Sequence, residues 1–201
     1  IIRLIFPKNT PATTAPHQDF PNNHGSEKLT AAWIPLGDCP RELGPLKVLK
    51  GSHKFGILPL QHHLGAGSRT AKIPPEMSDL IWHTSPFEAG DVLVFSALTV
   101  HASTDNQSPS LMRLSVDFRY QTEGEPLTSG CLEPHFGRFS WEKIYENWKS
   151  DSLKYYWLSK EYKVVEWDNS LHELSPEDAA EGLRMALEYA AHRGEVQIKL
   201  K

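Results

Sequence analysis

Residues 113–120 read Arg-Leu-Ser-Val-Asp-Phe-Arg-Tyr, a run rich in β-branched and aromatic residues between turn-forming neighbours. Such a run favours a strand, because branched and ring side chains pack well on a pleated surface and lose rotamer freedom in a helix. Working outward, the same texture recurs at 91–95 (Asp-Val-Leu-Val-Phe), 46–49, 29–36 (Leu-Thr-Ala-Ala-Trp-Ile-Pro-Leu) and 2–6 (Ile-Arg-Leu-Ile-Phe), with Pro, Gly and Asn between the runs. Short strands separated by breakers, with no helix–strand alternation before residue 121, indicate an all-β sandwich or barrel. Residues 60–90 are rich in Gly, Pro and His and too long for a simple hairpin connection, which marks them as a candidate lid or pocket lining.

Beyond residue 121 the texture changes. Ser140 to Trp148 and Ser152 to Leu158 read as short aromatic-rich helices, and 162–167 (Tyr-Lys-Val-Val-Glu-Trp) as an edge strand. The last helix carries the clearest signals: Ser175 as its cap, Pro176 at the first helical position, Asp178 completing a capping-box-like pair, and Gly194 where the chain leaves. Ala180, Leu183, Leu187, Ala190 and Ala191 recur at helical spacing and are expected to form one buried stripe. The 201 residues are read as a single domain, with 1–120 as the β core carrying the chemistry and 121–201 as a largely helical extension packed on it.

Charge and composition narrow the function. With 21 basic against 25 acidic residues and a net charge of −4, there is no Lys/Arg run to grip a nucleic acid. The 2 cysteines, Cys39 and Cys131, make neither a disulfide framework nor a zinc spacing, which fits a reducing, cytoplasmic setting. No apolar stretch approaches the roughly 20 residues needed to cross a bilayer, and no secretory-signal pattern opens the chain, so a soluble protein is expected. The chain begins Ile1-Ile2-Arg3-Leu4 in mid-pattern without Met, which leaves room for further natural sequence before it.

The chemistry centres on His17-Gln18-Asp19. In an extended segment residues i and i+2 share a face, so one imidazole and one carboxylate converge while Gln18 points away. The same pattern also describes a surface His beside a turn Asp, so a third group is needed. His101 supplies it, standing just beyond the apolar run 92–95, where a rigid scaffold presents functional groups. Two neutral imidazoles and one carboxylate on one face of an octahedron leave the opposite face open, as non-haem Fe(II) oxygenases require, whereas a structural zinc site closes with a fourth ligand. Arg113 opens the next strand, and its planar fork suits the far carboxylate of a dicarboxylate cosubstrate.

In order along the chain, His17-Gln18-Asp19, Trp33-Ile34-Pro35-Leu36, Gly44-Pro45-Leu46-Lys47-Val48 leading to Gly51-Ser52-His53-Lys54, Gly90-Asp91, His101 and Arg113 resemble the phytanoyl-CoA dioxygenase family over about residues 1 to 120. The resemblance implies a mainly β fold with a double-stranded β-helix (jelly-roll, cupin-like) core and C-terminal helices. It implies Fe(II) held by His17, Asp19 and His101, with 2-oxoglutarate and O2 as cosubstrates. Arg113 would bind the distal carboxylate of 2-oxoglutarate, and Ser103 and Trp33 would contact the same molecule. Related halogenases carry a small residue in place of the carboxylate, so Asp19 implies hydroxylation of an unactivated C–H in a small organic substrate, releasing succinate and CO2. The alternative is a cupin-like protein that binds a metal or small ligand without turnover.

Other residues read more plainly. Arg119 rivals Arg113 because the two are an even number of residues apart on one strand. His53 suits a turn, adjacent His62 and His63 cannot both chelate one ion from an extended chain, and His24, His83 and His135 lack partners at ligand spacing. Gly65-Ala66-Gly67 lacks the strand that a dinucleotide loop needs. The Trp141 to Trp157 aromatics read as packing, and residues 20–28 and 60–88 as the loops that would touch substrate.

Overall fold

A computed structural model of the chain describes residues 1–8, 13–64 and 68–192. Strand β9 (Arg113–Tyr120) runs through the larger of the two main sheets, flanked by β1 (Ile2–Ile5) and β2 (Thr30–Pro35), with β7 (Leu93–Ser96) beyond β2. All pairings are antiparallel, with Ile5 opposite Arg113 and Trp33 opposite both Asp117 and Leu93. The register turns Arg113, Ser115 and Asp117 inward, all buried, and Leu114, Phe118 and Tyr120 outward, all exposed. A strand that points its polar set inward is lining something polar.

The second sheet is ordered β6 (Trp82–His83), β3 (Leu46–Leu49), β8 (His101–Ser103). It gains a further rung where His17 bridges His101 antiparallel. A hairpin of β4 (Leu60–His62) and β5 (Arg69–Ala71) joins alongside, Ala71 N–H donating to the Pro16 carbonyl at 2.8 Å. The chain passes back and forth between the two sheets, and both line one cleft, the arrangement of a double-stranded β-helix. Apolar clusters fill the space around it: Trp33, Cys39, Leu43 and Leu46 at one end, Leu49, Leu58, Met77 and Val100 at another, and Phe20, Leu29, Ala97 and Leu98 near the start of the short helix α1 (Phe20–Asn23).

Within 60–90 the described residues form the hairpin, a 3₁₀ turn at Pro75–Met77 and strand β6. None of them lines the cleft between the sheets. Gly65-Ala66-Gly67 lies outside the described residues.

The C-terminal part begins with β10 (Leu127–Thr128), parallel to β11 (Val164–Val165), which occupies the expected edge-strand position. Helix α2 (Trp141–Tyr145) is capped by Ser140, whose Oγ accepts from Lys143 N–H. The segment expected as a second short helix makes a 3₁₀ turn at Tyr156–Ser159 instead, entered through Tyr155 at φ 54°, a left-handed conformation that α-helix cannot propagate through. Tyr145 is packed by the rings of Trp141, Trp148 and Tyr155, with centroids 4.8–5.6 Å away.

Helix α3 (Pro176–His192) starts with Ser175 Oγ accepting from Asp178 N–H. Asp178 does not reach back to the backbone as in a capping box; its carboxylate takes the Ser175 hydroxyl and the Lys72 ammonium. The expected buried stripe is not buried: Leu183 is 64% and Leu187 41% exposed. The helix instead docks on β4 through Gly182, where a Cβ would lie 2.5 Å from the His62 ring, so the close approach selects the glycine face over the leucine face. The Ala191 side chain and Gly194 lie outside the described residues. No described helix is long and apolar enough to cross a membrane.

Candidate metal and cosubstrate site

His17 and His101 face each other across an antiparallel bridge, exchanging both backbone hydrogen bonds at 2.9 Å. That pairing sets the two imidazoles side by side, with ring centroids 4.1 Å apart. Each ring is fixed by its own neighbour. His17 Nδ1 lies 2.8 Å from the Ala15 carbonyl and His101 Nδ1 3.0 Å from the Thr99 carbonyl. A carbonyl can only accept, so each Nδ1 carries the proton and each Nε2 is left as a bare acceptor, the tautomer a metal requires. Burial lowers both pKa values, that of His101 to about 3, with the facing His17 adding to the effect; both rings are therefore neutral at neutral pH.

Asp19 completes the group. Its backbone N–H donates to the Ala97 carbonyl, which ties the segment to the turn after β7. Although it sits at the N-cap of α1, its side chain makes no capping bond. Oδ1 lies 3.8 Å from each Nε2. The three ligand atoms fall within 4.8 Å of one another, the one such group of three or more His, Cys, Asp or Glu side chains among the described residues. Gln18 points away as expected. Its amide donates to the Gly56 and Leu98 carbonyls and accepts from Leu58 N–H, stapling the ligand segment to the opposite loop with three bonds of 2.7–2.8 Å.

Behind the imidazoles, Arg113 is only 2% exposed and has no carboxylate partner among the described residues. Its guanidinium donates to the Gly44 carbonyl and, at 3.3 Å, to Ser103 Oγ, stands 5.4 Å from the Trp33 ring centroid, and leaves Nε unbonded. Burial lowers its pKa to about 10, so it remains cationic at neutral pH. A buried cation without a counter-ion is costly and calls for an anion. Gly44 brings its carbonyl there in a left-handed turn (φ 81°), and a Cβ on it would lie 2.7 Å from the Thr104 carbonyl oxygen, so no other residue fits.

The cleft holding these groups is walled by Thr14, Trp33, Leu46 and Phe95, with Arg3, Asp117 and Arg119 also on its lining. The structure thus brings His17, Asp19 and His101 together and sets Arg113, Ser103 and Trp33 beside them. Arg119 does not share the Arg113 position; its Nη2 donates to Asp19 Oδ1 at 2.7 Å and to Asp117 Oδ2 at 3.1 Å. Burial alone would raise the Asp117 pKa, but the Arg3 and Arg119 guanidiniums more than offset it and the carboxyl is held below its usual value. Asp117 and the role of Gln18 were not singled out from the sequence, although the even spacing 113, 115, 117, 119 places the β9 residues on one face. His24, His53, His62, His63, His83 and His135 all stand outside the cluster, and the described parts of 20–28 and 60–88 do not line the cleft.

A family model described as phytanoyl-CoA dioxygenase matches residues 3–115, more than half of the chain. The chain belongs to the phytanoyl-CoA dioxygenase family. Among curated relatives, 1-deoxypentalenic acid 11-beta-hydroxylase of Streptomyces arenae is 37% identical over 129 residues, 59% of this chain and 44% of the relative. The enzyme of the same name from Streptomyces exfoliatus is 37% identical over 127 residues. The chain therefore spans under half the length of the curated relatives it matches. Among solved structures, the non-heme alpha ketoglutarate dependent carbocyclase SnoK from nogalamycin biosynthesis superposes with a TM-score of 0.52 at 26% identity, over 69% of this chain and 55% of that one. The epimerase SnoN, in complex with Fe3+, alpha ketoglutarate and nogalamycin RO, gives 0.50 at 27% identity, over 63% and 49%. The double-stranded β-helix read from the sheets agrees with both phytanoyl-CoA dioxygenase membership and these neighbours.

Proposed function

We propose that this chain is an Fe(II)- and 2-oxoglutarate-dependent dioxygenase that hydroxylates an unactivated C–H bond of a small organic substrate. The observation that carries the reading is one cleft lined by two bare imidazole acceptors, with a carboxylate oxygen 3.8 Å from each and a buried guanidinium that has no carboxylate partner among the described residues. The named relatives, a hydroxylase and two alpha-ketoglutarate enzymes, support it.

His17, Asp19 and His101 would hold Fe(II) through two imidazole nitrogens and one carboxylate oxygen, the donor set of non-haem Fe(II) oxygenases. When bound, the iron supplies oxygen activation coupled to decarboxylation of 2-oxoglutarate; the balance is substrate plus 2-oxoglutarate plus O2 to alcohol plus succinate plus CO2. The chain's own residues orient and exclude. Arg113 takes the distal carboxylate of 2-oxoglutarate, with Ser103 and the Trp33 ring fixing the guanidinium in place. Phe95 packs at 4.6 Å against the His101 ring and, with Trp33 and Leu46, gives the site an apolar wall that limits water. Two free cysteines suit a reducing, cytoplasmic setting.

The test is anaerobic addition of Fe(II) and 2-oxoglutarate to the purified chain. A weak visible charge-transfer band is expected, followed on admitting O2 by succinate formation. A protein that gives neither band nor succinate is a ligand-binding jelly roll and not an oxygenase.

A further inference from the structure

The two imidazoles of the site are each oriented by a backbone carbonyl, but Asp19 has no such tether. Its side chain is 4% exposed, makes no capping bond, and leaves Oδ2 buried without a partner. What holds it is Arg119, which reaches across from β9 on the opposite sheet to donate to Oδ1, the oxygen that faces both imidazoles. Arg119 is braced in turn: the same Nη2 binds Asp117 Oδ2, and Asp117 accepts from Arg3 at 3.3 Å. The four side chains form a row of alternating charge, Arg3, Asp117, Arg119, Asp19, that ends on the metal-facing oxygen.

We propose that Arg119, held by Asp117, is the positioning residue for the Asp19 ligand. Resting on the iron reading above, this gives each of the three ligands one orienting partner: the Ala15 carbonyl, the Thr99 carbonyl and the Arg119 guanidinium. Without metal, Arg119 also supplies the counter-charge that lets a carboxylate stay buried at that point. Outer partners of this kind typically change metal affinity by about 10- to 100-fold when removed. The assignment also separates the two arginines of β9 by partner: Arg119 is committed to a carboxylate of the chain, whereas Arg113 has none among the described residues and is left for the cosubstrate.

The test uses Mn(II) as an oxygen-stable probe, with affinity measured calorimetrically on the full chain. Arg119→Met is expected to weaken Mn(II) binding about 10- to 100-fold. Asp117→Asn should act in the same direction more weakly, and Arg119→Lys should restore part of the loss. Far-UV circular dichroism and the Tm of the metal-free variants separate misfolding from lost positioning; if Arg119→Met does not fold, Arg119→Lys and Asp117→Asn carry the comparison. Unchanged Mn(II) affinity in folded variants overturns the proposal. So does a rise in the 2-oxoglutarate KM matching that of Arg113→Gln with Mn(II) affinity intact, because Arg119 would then serve the cosubstrate. A wild-type chain that binds no Mn(II) sinks the metal reading itself, a different failure from either of these.

Discussion

Among the described residues Arg113 meets only dipoles, the Gly44 carbonyl and the Ser103 hydroxyl, so its replacement separates binding from folding. Charge-assisted bonds to a carboxylate contribute about 1.5–3 kcal/mol, so Arg113→Gln is expected to raise the 2-oxoglutarate KM roughly tenfold to a hundredfold. Because the wild-type cation is buried without a counter-ion among the described residues, the same change should leave the Tm of the ligand-free protein unchanged or higher. A Tm that falls by many degrees would show that the guanidinium is chiefly a structural tie to Gly44 and Ser103. Gln18 should behave in the opposite way. Its three bonds satisfy the Gly56 and Leu98 carbonyls and Leu58 N–H, two of them fully buried. Gln18→Leu strands the two buried groups at about 1–3 kcal/mol each, and thermal melting should show a loss of at least about 2 kcal/mol. Mn(II) affinity should fall along with stability, since the same bonds hold the backbone between the two ligands. At this scale the sequence was informative where chemistry restricts residue type: two imidazoles, a carboxylate and a forked cation are few enough to find. Gln18 and Asp117 were less legible because an amide or a carboxylate has many ordinary uses, and only the fold shows which groups they meet.

Among the elements, β9 shows why strand identity was easier to read than strand orientation. Its β-branched and aromatic residues make the strand plain, yet alternation alone would send Leu114, Val116, Phe118 and Tyr120 to the core. The structure sends Arg113, Ser115 and Asp117 there instead, because the space between the sheets is a polar cleft as well as a core. Helix α3 differs for a related reason: its leucine stripe was legible, but the choice of docking face was made by Gly182 against His62. The segment after β11 docks on the end of helix α1 through His24, a buried ring stacked 3.7 Å from Trp167 and near Phe20 and His172. His24 Nδ1 accepts from Asp168 N–H, so a proton there breaks the bond that docks the segment. Burial lowers the His24 pKa below 6.5, with the Pro21 backbone and Asp168 opposing and His172 lowering it further. The docked form thus binds fewer protons than the undocked one. Docking should be fully favourable above about pH 6.5 and weaken as pH falls from there toward the lowered value. Hydrogen exchange over residues 164–175 should quicken between pH 7 and pH 5 beyond the intrinsic rate change. His24→Leu, which cannot take a proton, should abolish that excess; an equal excess in both proteins would place the sensitivity elsewhere.

For the molecule as a whole, the inverted alternation of β9 has a consequence on its outer side. Ala32 lies opposite both Val94 and Phe118, Val116 opposite Ile34 and Ile2, and Leu114 opposite Leu4, so these residues share the outer face of the larger sheet. Ile2 is 63% exposed, Val94 61%, Tyr120 59% and Phe118 46%. An apolar stripe running across four strands is more than the scattered exposed leucine that any protein tolerates. The chain described here should therefore bind a hydrophobic dye such as anilinonaphthalene sulfonate in its native state. Val94→Thr with Phe118→Thr keeps branched residues suited to strands while removing apolar area, and should lower dye fluorescence and raise solubility. Mn(II) affinity should stay within about twofold, because the site uses the inward residues of the same strand and an outward change preserves the register. If the paired substitution leaves dye binding as it was, the exposed face is not the source. If it disturbs metal binding, the two faces of β9 are coupled more tightly than a pleat of alternating side chains implies.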